Sequence, residues 1–478
     1  MRYKRFYYET DGLQTYTFET VNNLADDSYT NTVTDGAGQV RAVATNNPGS
    51  AGGYRAQYTE HDAMGRAVKQ TNPTEIDAGW NAAGTDSPQG FIWTLQAYDW
   101  KGRPTMTTNP DGSTTETTYG GCGCAGGEVS TVRDERARRK RMTMDALGRL
   151  KEVVELQWDG TTPYATTAYS YNALDQLTQI NQAEQLRIMD YDGHGRLWHK
   201  TTPEQGQTTY GYNADDTVQS VTDARGASQS FSYNNRQLVT AINYTAGGTA
   251  VATPNVSFGY DAVGNRTSMT DGQGSTTYAY DQLSRLTSET RSFTGLGAYT
   301  LGYQYNRAGE VTGIANPWNV QVGYSYDQTG RTTGVTGSGY ANVPTYATGF
   351  SYRAFGMKQM SYGNNRQLSI NYDTRLRMTR WDVAGVIGSD YQYANYGENG
   401  GRVTFAGSRY DTTKSLDRSY NYDQVGRLFV ARTGVEARAD SGQVWDGGSY
   451  GAYSHGFGYD VFELAPIWWT RSLCRLPQ

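Results

Sequence analysis

Apolar and polar positions alternate along most of the chain in units of two extended segments and two turns. In residues 258–286 the aromatic pair Phe258 and Tyr260 leads into a Gly-containing turn that begins at Asp261. A polar run and a second turn follow, and the pattern restarts at Tyr280. From Asp261 to Asp281, the equivalent residue of the next unit, is about 20 residues, a period typical of repeat architectures. The pattern therefore predicts a repeat protein.

The same unit recurs with the signature Tyr-Asp-x-x-Gly-Arg. The six clearest copies contain Tyr98, Asp99, Gly102 and Arg103; Tyr191, Asp192, Gly195 and Arg196; Tyr260, Asp261, Gly264 and Arg266; Tyr280, Asp281 and Arg285; Tyr326, Asp327, Gly330 and Arg331; and Tyr422, Asp423, Gly426 and Arg427. From Asn172 through Asp192, Asn213 and Asn234 the spacing stays at about 20–21 residues. This regular spacing, more than any single match, supports the repeat.

The signature residues are those that a tight turn needs. An Asp side chain can accept hydrogen bonds from backbone amides two residues on, and Gly adopts positive φ without steric cost. The Arg can return to the Asp, or to carbonyls of the preceding unit, through charge-assisted hydrogen bonds. We interpret the Asp and Arg as turn chemistry rather than as a catalytic pair or a ligand site.

Paired aromatic residues indicate that the extended segments are strands. Tyr278 and Tyr280, like Tyr324 and Tyr326, are two residues apart and would lie on one face of a strand. In register they would form cross-strand ladders of rings. We predict an all-β fold in which tandem hairpins form a long coiled antiparallel sheet. A β-propeller is the alternative, because two units make about 41 residues, the length of one four-stranded blade.

The signature, the segment Thr108-Asn109-Pro110-Asp111-Gly112 and the Tyr-x-Tyr strands together resemble the YD repeats of bacterial Rhs proteins. These repeats also occur in shell subunits of insecticidal toxin complexes and in teneurins. The resemblance runs from about His61 to Asp460. It implies a spiral hollow shell that encloses a toxin or another client polypeptide, in a secreted or cell-surface protein. The self-cleaving core segment and toxin domain of that family have no counterpart here, so we expect at most a shell.

We divide the chain into degenerate N-terminal repeats (1–57), the YD-repeat array (58–460) and a non-repeat tail (461–478). Residues 74–90 interrupt the array and are expected to project as a loop. The tail is either a capping plug or sequence that has left the repeat pattern. Because the chain begins in strand-like sequence, we expect the ordered repeats to extend further on that side. Its first residues lack the apolar run of a secretory signal.

Composition and charge narrow the function classes. Apolar residues are 37% and charged residues 19%, while 57 Gly and 39 Tyr are present, a balance that disfavours disorder. The formal net charge of −5 gives no general attraction for nucleic acid. One basic run, residues 136–141, is interpreted as a solvated turn and strand face, with a phosphate-binding patch as the alternative. No apolar stretch reaches the ~18 residues of a membrane span.

Candidate chemistry is sparse. Cys122 and Cys124 lie in a Gly-rich loop without further ligands nearby in sequence, and Cys474 is distant. The four His residues lie in no Cys or carboxylate cluster, and no phosphate loop, nucleophile elbow or dinucleotide motif stands in a convincing context. We therefore predict no cofactor, no metal and no enzymatic activity.

Two functions from different classes remain. The first is a non-catalytic shell or scaffold, a partial shell of a polymorphic-toxin protein that lacks its toxin domain. The second is a cell-surface module that binds carbohydrate or protein through exposed aromatic platforms. The candidate platforms are Trp80, Trp93, Trp198 and Trp318.

Overall fold

A computed structural model describes residues 4–9, 12–19, 27–84, 90–121, 127–183, 185–248, 251–339, 343–393, 401–434 and 437–438, together with the backbone of two later strands. These residues contain 39 β-strands. The first seven are β1 (Lys4–Tyr8), β2 (Gln14–Glu19), β3 (Ser28–Thr34), β4 (Val40–Asn46), β5 (Tyr54–His61), β6 (Ala67–Thr71) and β7 (Thr74–Ile76).

The regular repeats occupy the middle of the chain. Their strands are β8 (Trp93–Tyr98), β9 (Pro104–Thr108), β10 (Thr114–Gly120), β11 (Val129–Arg133), β12 (Arg139–Met144), β13 (Leu150–Leu156), β14 (Pro163–Tyr171), β15 (Leu177–Gln182), β16 (Gln185–Tyr191), β17 (Leu197–Thr202), β18 (Gly206–Tyr212), β19 (Val218–Thr222), β20 (Ser228–Tyr233), β21 (Val239–Thr245), β22 (Val256–Tyr260), β23 (Arg266–Asp271), β24 (Gly274–Tyr280), β25 (Leu286–Phe293), β26 (Gly297–Tyr305), β27 (Val311–Ala315) and β28 (Gln321–Tyr326).

The remaining strands continue the same pattern. They are β29 (Thr332–Ser338), β30 (Thr345–Tyr352), β31 (Met357–Tyr362), β32 (Gln367–Tyr372), β33 (Met378–Val383), β34 (Ile387–Gln392), β35 (Phe405–Ser408), β36 (Arg418–Tyr422), β37 (Leu428–Thr433), β38 (Tyr453–Gly458) and β39 (Ile467–Ser472). The last two are described as backbone alone and pair with each other.

Almost every strand pairs antiparallel with the next one along the chain, so the molecule is one continuous ribbon of hairpins. The exception is β5. Along one of its edges, the first half of β5 pairs with β7 and the second half pairs with β6. The ribbon then continues because β6 pairs with β8. In the described pairings β1 contacts only β2, and β39 contacts only β38. The sheet is therefore open. The propeller alternative is wrong, because strand pairing continues across every junction instead of breaking into separate blades.

The ribbon has two chemically different faces, because residues paired across an antiparallel sheet share a face. One face carries aromatic and aliphatic side chains, as in the pairs Tyr210–Val221 and Phe231–Ile242. The other carries small polar residues, as in the row Gly211, Ser220 and Ser230. Most side chains are only half-buried because a single-layer sheet has no second layer to cover it.

The predicted ladders of signature Tyr rings are not formed. Among the ring pairs of the described residues, no signature Tyr packs on the signature Tyr of a neighbouring repeat. The reason is geometric: successive signature Tyr residues are two strands apart, or about 9–10 Å, with another strand between them. The rings pack against Arg side chains instead, as described below.

A small apolar core lies near the N-terminal end. Ala44, Ala56 and Ile76 are buried together, and Trp80 and Phe91 pack against them. Ile76 is only 1% exposed and belongs to β7, in the segment expected to project as a loop. The start of this insertion instead pairs with the edge of β5, and Trp80 further along the insertion packs on Tyr58 of that strand. Residues 85–89 of the insertion lie outside the described residues.

The ribbon coils back on itself, so that distant parts of the chain meet. Arg331 Nη1 lies 2.5 Å from Asn47 Oδ1, Asn72 donates to the Thr374 carbonyl at 2.7 Å, and Arg427 Nη2 donates to the Tyr164 hydroxyl at 2.6 Å. We call residues up to Tyr326 the first winding and those from Asp327 the second winding. The seam is the set of contacts between the two windings.

Candidate functional site

Two kinds of turn alternate along the ribbon. Signature turns begin at the Asp or Asn of each repeat, whereas return turns close the other end of each hairpin. At the seam, signature turns of the second winding rest on return turns of the first winding. Examples are the turn at Asp327, which contacts the loop at Asn47 and Pro48, and the turn at Asp373, which contacts Asp111 and Glu135.

The turn at Asp192 shows the local geometry. Oδ1 of Asp192 accepts hydrogen bonds from the His194 and Arg196 amides, both at 2.9 Å. Oδ2 accepts from Nε of Arg196 at 2.8 Å and from its Nη2 at 2.7 Å. The fork of the guanidinium thus closes the turn against the same carboxylate that organises its backbone.

The fourth turn position requires a left-handed backbone. Gly195 has φ of 80° and donates its amide to the Asp192 carbonyl at 2.9 Å. A register shift follows where Tyr191 pairs with Leu197, so the hairpin ends in a bulge of the G1 type. In other repeats Asp216, Gln237 and Ser284 take positive φ at this position, so Gly is the usual but not the obligatory residue.

The signature Tyr clamps the preceding turn. The Tyr212 hydroxyl donates to the Leu197 carbonyl at 2.7 Å, the first residue after the Asp192 turn. The same bond, between 2.6 and 3.1 Å, is made by Tyr98, Tyr119, Tyr171, Tyr191, Tyr233, Tyr260, Tyr280, Tyr305, Tyr326, Tyr352, Tyr372, Tyr393 and Tyr422. Each hydroxyl thus reaches across one hairpin and ties neighbouring repeats together.

The signature Arg reaches forward as well as back. Nη1 of Arg196 donates to the Asn213 carbonyl at 3.2 Å and to Asp216 at 2.7 Å, both in the following turn. Its guanidinium carbon lies 4.6 Å from the centre of the Tyr212 ring. The sequence suggested that the Arg side chain could bond to carbonyls of the preceding unit. In the structure, the Arg196 side chain bonds to the following unit instead. The stacked Arg and Tyr are a cation–π contact.

Hydrogen bonding sets the ionisation of the turn carboxylates. Donation from the Arg196 amide, followed by its guanidinium, lowers the pKa of Asp192 to about 2, although desolvation opposes the shift. The pKa values of Asp145 and Asp281 are lowered in the same way by the amides of Arg149 and Arg285. These carboxylates are therefore held ionised for structure, and none of these shifts moves a group towards neutral pH, where acid–base catalysis operates.

At the seam, Arg residues of the second winding meet acidic side chains of the first. Arg375 Nη2 lies 2.7 Å from Glu135 Oε1, and its Nη1 lies 3.3 Å from the Ser113 hydroxyl. Asp111 lies 3.7 Å from Arg375 and 3.6 Å from Arg377. The Arg side chains are both less than one-fifth exposed, so these ion pairs are largely withdrawn from solvent.

The signature Asp, Gly and Arg residues lie in such turns, with one exception. In the Asp261 turn Asn265 takes the position of the Arg and donates to Asp261 Oδ2 at 2.9 Å. Arg266 falls one residue later, on β23, with its guanidinium 5.2 Å from the Phe258 ring centre. Sequence reasoning missed the seam partners Arg375, Glu135 and Tyr164, because no local pattern marks a contact between distant windings.

The described residues offer little for catalysis or metal binding. They contain no group of three or more His, Cys, Asp or Glu side chains that could hold a metal ion. Cys122, Cys124 and Cys474 lie outside the described residues. Within the described part of the chain, no helix has the length and apolar character needed to cross a membrane.

Comparison with known proteins supports the repeat assignment. Residues 209–338 match the family model of the teneurin YD-shell. A search among curated proteins finds no match.

Solved structures of similar fold are toxin-complex proteins. The TcdB2-TccC3 crystal structure aligns with a TM-score of 0.78 at 15% identity, over 96% of this chain and 27% of that one. TcdB2-TccC3 without its hypervariable C-terminal region gives 0.77 at 14%, over 94% and 26%. A Tc holotoxin pore of Photorhabdus luminescens gives 0.75 at 13%, over 94% and 26%. The chain thus spans about a quarter of the length of these structures.

The YD-shell match and the shared open spiral sheet together confirm the resemblance of this chain to the Rhs and YD-repeat proteins.

Proposed function

We propose that this chain is a non-catalytic YD-repeat shell or scaffold segment, a partial shell that encloses or guides a client polypeptide. The observation that carries the proposal is the seam. The second winding rests on the first, so that the ribbon forms a wall. The signature residues take part in turn closure and in contacts between repeats. None of these interactions leaves a reactive group directed at a substrate.

The uncovered part of the first winding supports a partial shell. The seam contacts lie on return turns between Asn47 and Tyr164. Beyond them, return turns present exposed apolar side chains, with Val251 88% and Trp318 70% exposed. Repeats from a longer product or a partner chain would continue the wall there. The similarity to solved toxin-complex structures over only 26–27% of their chains agrees with this proposal.

Small-angle scattering tests the wall directly. The purified chain should give a compact, curved particle with a sharp maximum dimension, and Arg375→Ala should lengthen it by weakening the seam. Arg225→Ala is the matched control, because Arg225 is 67% exposed and paired only within its own return turn in the described contacts. An extended, flexible profile for the unmodified chain would contradict a self-supporting shell segment.

A second candidate, binding of carbohydrate or protein by aromatic platforms, rests on one cluster. The ring centres of Trp318 and Tyr299 lie 6.1 Å apart, as do those of Tyr299 and Phe293, so the half-buried Tyr299 ring links two exposed rings. Trp198 is also exposed, but Trp80 packs in the N-terminal core and Lys69 covers Trp93. Glycan-array binding that is lost in Trp318→Ala and kept in Trp198→Ala would favour this function. Absence of any array signal would oppose carbohydrate binding.

A further inference from the structure

We propose that the seam contains a binding site for a small tetrahedral oxyanion, phosphate or sulfate, between Arg138 of the first winding and Arg402 of the second. The site lies where the signature turn at Gly426 rests on the return turn 134–138. It includes part of the basic run at 136–141. This inference does not rest on the proposed shell function, because it concerns only how two windings are held together.

The first observation is the approach of two like-charged groups. Nη1 of Arg138 and Nη1 of Arg402 both lie within 2.5 Å of the point that a β-carbon on Gly426 would occupy. Two atoms that are each within 2.5 Å of one point are at most 5 Å apart. Charge-assisted N–H···O bonds are about 2.7–2.9 Å long, so two donors at this separation can bind the same anion.

The second observation is a buried donor without an acceptor. The Arg138 side chain is 10% exposed, and its Nε is bonded to Asp134 Oδ2 at 2.6 Å. Its Nη1 is buried and has no hydrogen-bond partner among the described residues. A buried charged donor that has no acceptor is destabilising. An anion oxygen would supply the missing acceptor.

The third observation is the local charge balance. Arg138 and Arg402 both act on Arg136 with like charge, and Asp134 offsets this only in part, whereas Arg427 is paired with Asp423. Burial, followed by repulsion from Arg138, lowers the pKa of Arg136 to about 10, and Arg402 adds to that repulsion. An excess of positive charge in a partly desolvated place favours an anionic ligand.

Access to the site is provided by Arg402. Its side chain is exposed and stacks over the Tyr422 ring at 5.6 Å, and no hydrogen bond to it is formed within the described part of the chain. It can therefore rotate to admit an anion and then close over it. The two guanidinium groups can approach each other here only because residue 426 is Gly, since any side chain at that position would collide with both.

The test is binding of inorganic phosphate and sulfate to the full chain, measured by calorimetry and by the rise in melting temperature, with chloride at matched ionic strength as reference. We expect saturable binding of both anions that weakens at least about tenfold in Arg402→Gln and in Arg138→Gln, as loss of one charge-assisted donor predicts. Arg225→Gln, which removes the same charge from an exposed return turn, should bind like the unmodified chain.

A second readout guards against variants that only destabilise the fold. Phosphate should slow amide hydrogen exchange in residues 423–427 and 134–138 of the unmodified chain, and should not do so in Arg402→Gln. Equal responses to phosphate and chloride would overturn the proposal, as would undiminished phosphate binding by Arg402→Gln. Equal stabilisation by acetate would overturn the tetrahedral specificity and indicate a carboxylate site.

Discussion

Arg375 and Glu135 are 240 residues apart in the sequence, yet their side chains are joined by a 2.7 Å ion pair. This contact fixes the second winding on the first. Ser113 and Asp111 add further acceptors for the same guanidinium. Because the Arg375 side chain is 16% and that of Glu135 15% exposed, the pair is screened less than a surface ion pair.

We expect Arg375→Ala to lower the free energy of unfolding by about 2 kcal/mol, because it removes the ion-pair partner of the largely buried Glu135, whereas Asp111 keeps Arg377. Urea titration of Arg375→Ala, Glu135→Gln and the double variant should give a coupling energy of about 1 kcal/mol or more. The exposed control Arg225→Ala should change stability by less than about 0.5 kcal/mol. Additive single effects would mean that the seam pair contributes nothing as a pair.

The turn at Asp192 could be predicted from the sequence, whereas the Arg375–Glu135 pair could not. Every bond within the turn joins residues at most four apart, so residue type and spacing were sufficient to anticipate it. The seam depends on small twists accumulated over many strands. No single residue between 135 and 375 determines the total twist. The pairing of Arg375 with Glu135 could therefore be identified only from the structure.

Other differences also have local causes. Arg266 was grouped with the turn arginines, but one position of displacement puts it on a strand, where it covers Phe258. The Tyr rings were expected to stack with one another, but the intervening strand keeps them apart, and Arg fills the gap. The sequence pattern indicates which residue types lie at the turns, whereas the partner of each side chain depends on the register of the strands.

Removal of the Tyr212 hydroxyl tests the clamp between repeats. Tyr212→Phe should lower the free energy of unfolding by about 1 kcal/mol, because the Leu197 carbonyl loses its 2.7 Å donor while the ring remains. Tyr210→Phe is the control, since Tyr210 lies on the same strand and no hydroxyl bond of it is seen within the described residues. Denaturant unfolding of both variants measures the difference. An equal loss of stability in both variants would show that the hydrogen bond from Tyr212 to the Leu197 carbonyl does not stabilise the fold.

Backbone conformation at the fourth turn position gives a paired prediction. Gly195→Ala should destabilise by about 1 kcal/mol, because φ of 80° is unfavourable for a residue with a β-carbon. Ser284 occupies the equivalent position with φ of 61°, so Ser284→Gly should be neutral or stabilising by up to about 1 kcal/mol. Thermal unfolding of the two variants is the measurement. Only Gly195→Ala should be destabilising, and destabilisation by both would contradict the assignment of strain to this position.

Acid should weaken the signature turns in a defined pH range. The pKa of Asp192 is lowered to about 2, first by the Arg196 amide and then by the Arg196 guanidinium. A depressed carboxyl pKa stabilises the fold fully above the ordinary value of about 3.9, and this contribution disappears as pH falls towards 2. Asp192→Asn keeps an acceptor for the two amides, as the natural Asn172 and Asn234 turns do, but loses the charge.

The unmodified chain should therefore be more stable than Asp192→Asn at pH 5 to 7, and the difference should shrink between about pH 4 and pH 2. Urea midpoints of the two proteins at several pH values provide the measurement. A difference that stays constant down to pH 2 would mean that the ionised carboxylate does not contribute through its lowered pKa. Asn234→Ala, which removes the amide-accepting side chain from a turn of the same kind, should be destabilising at every pH tested, because its lost hydrogen bonds involve no titrating group.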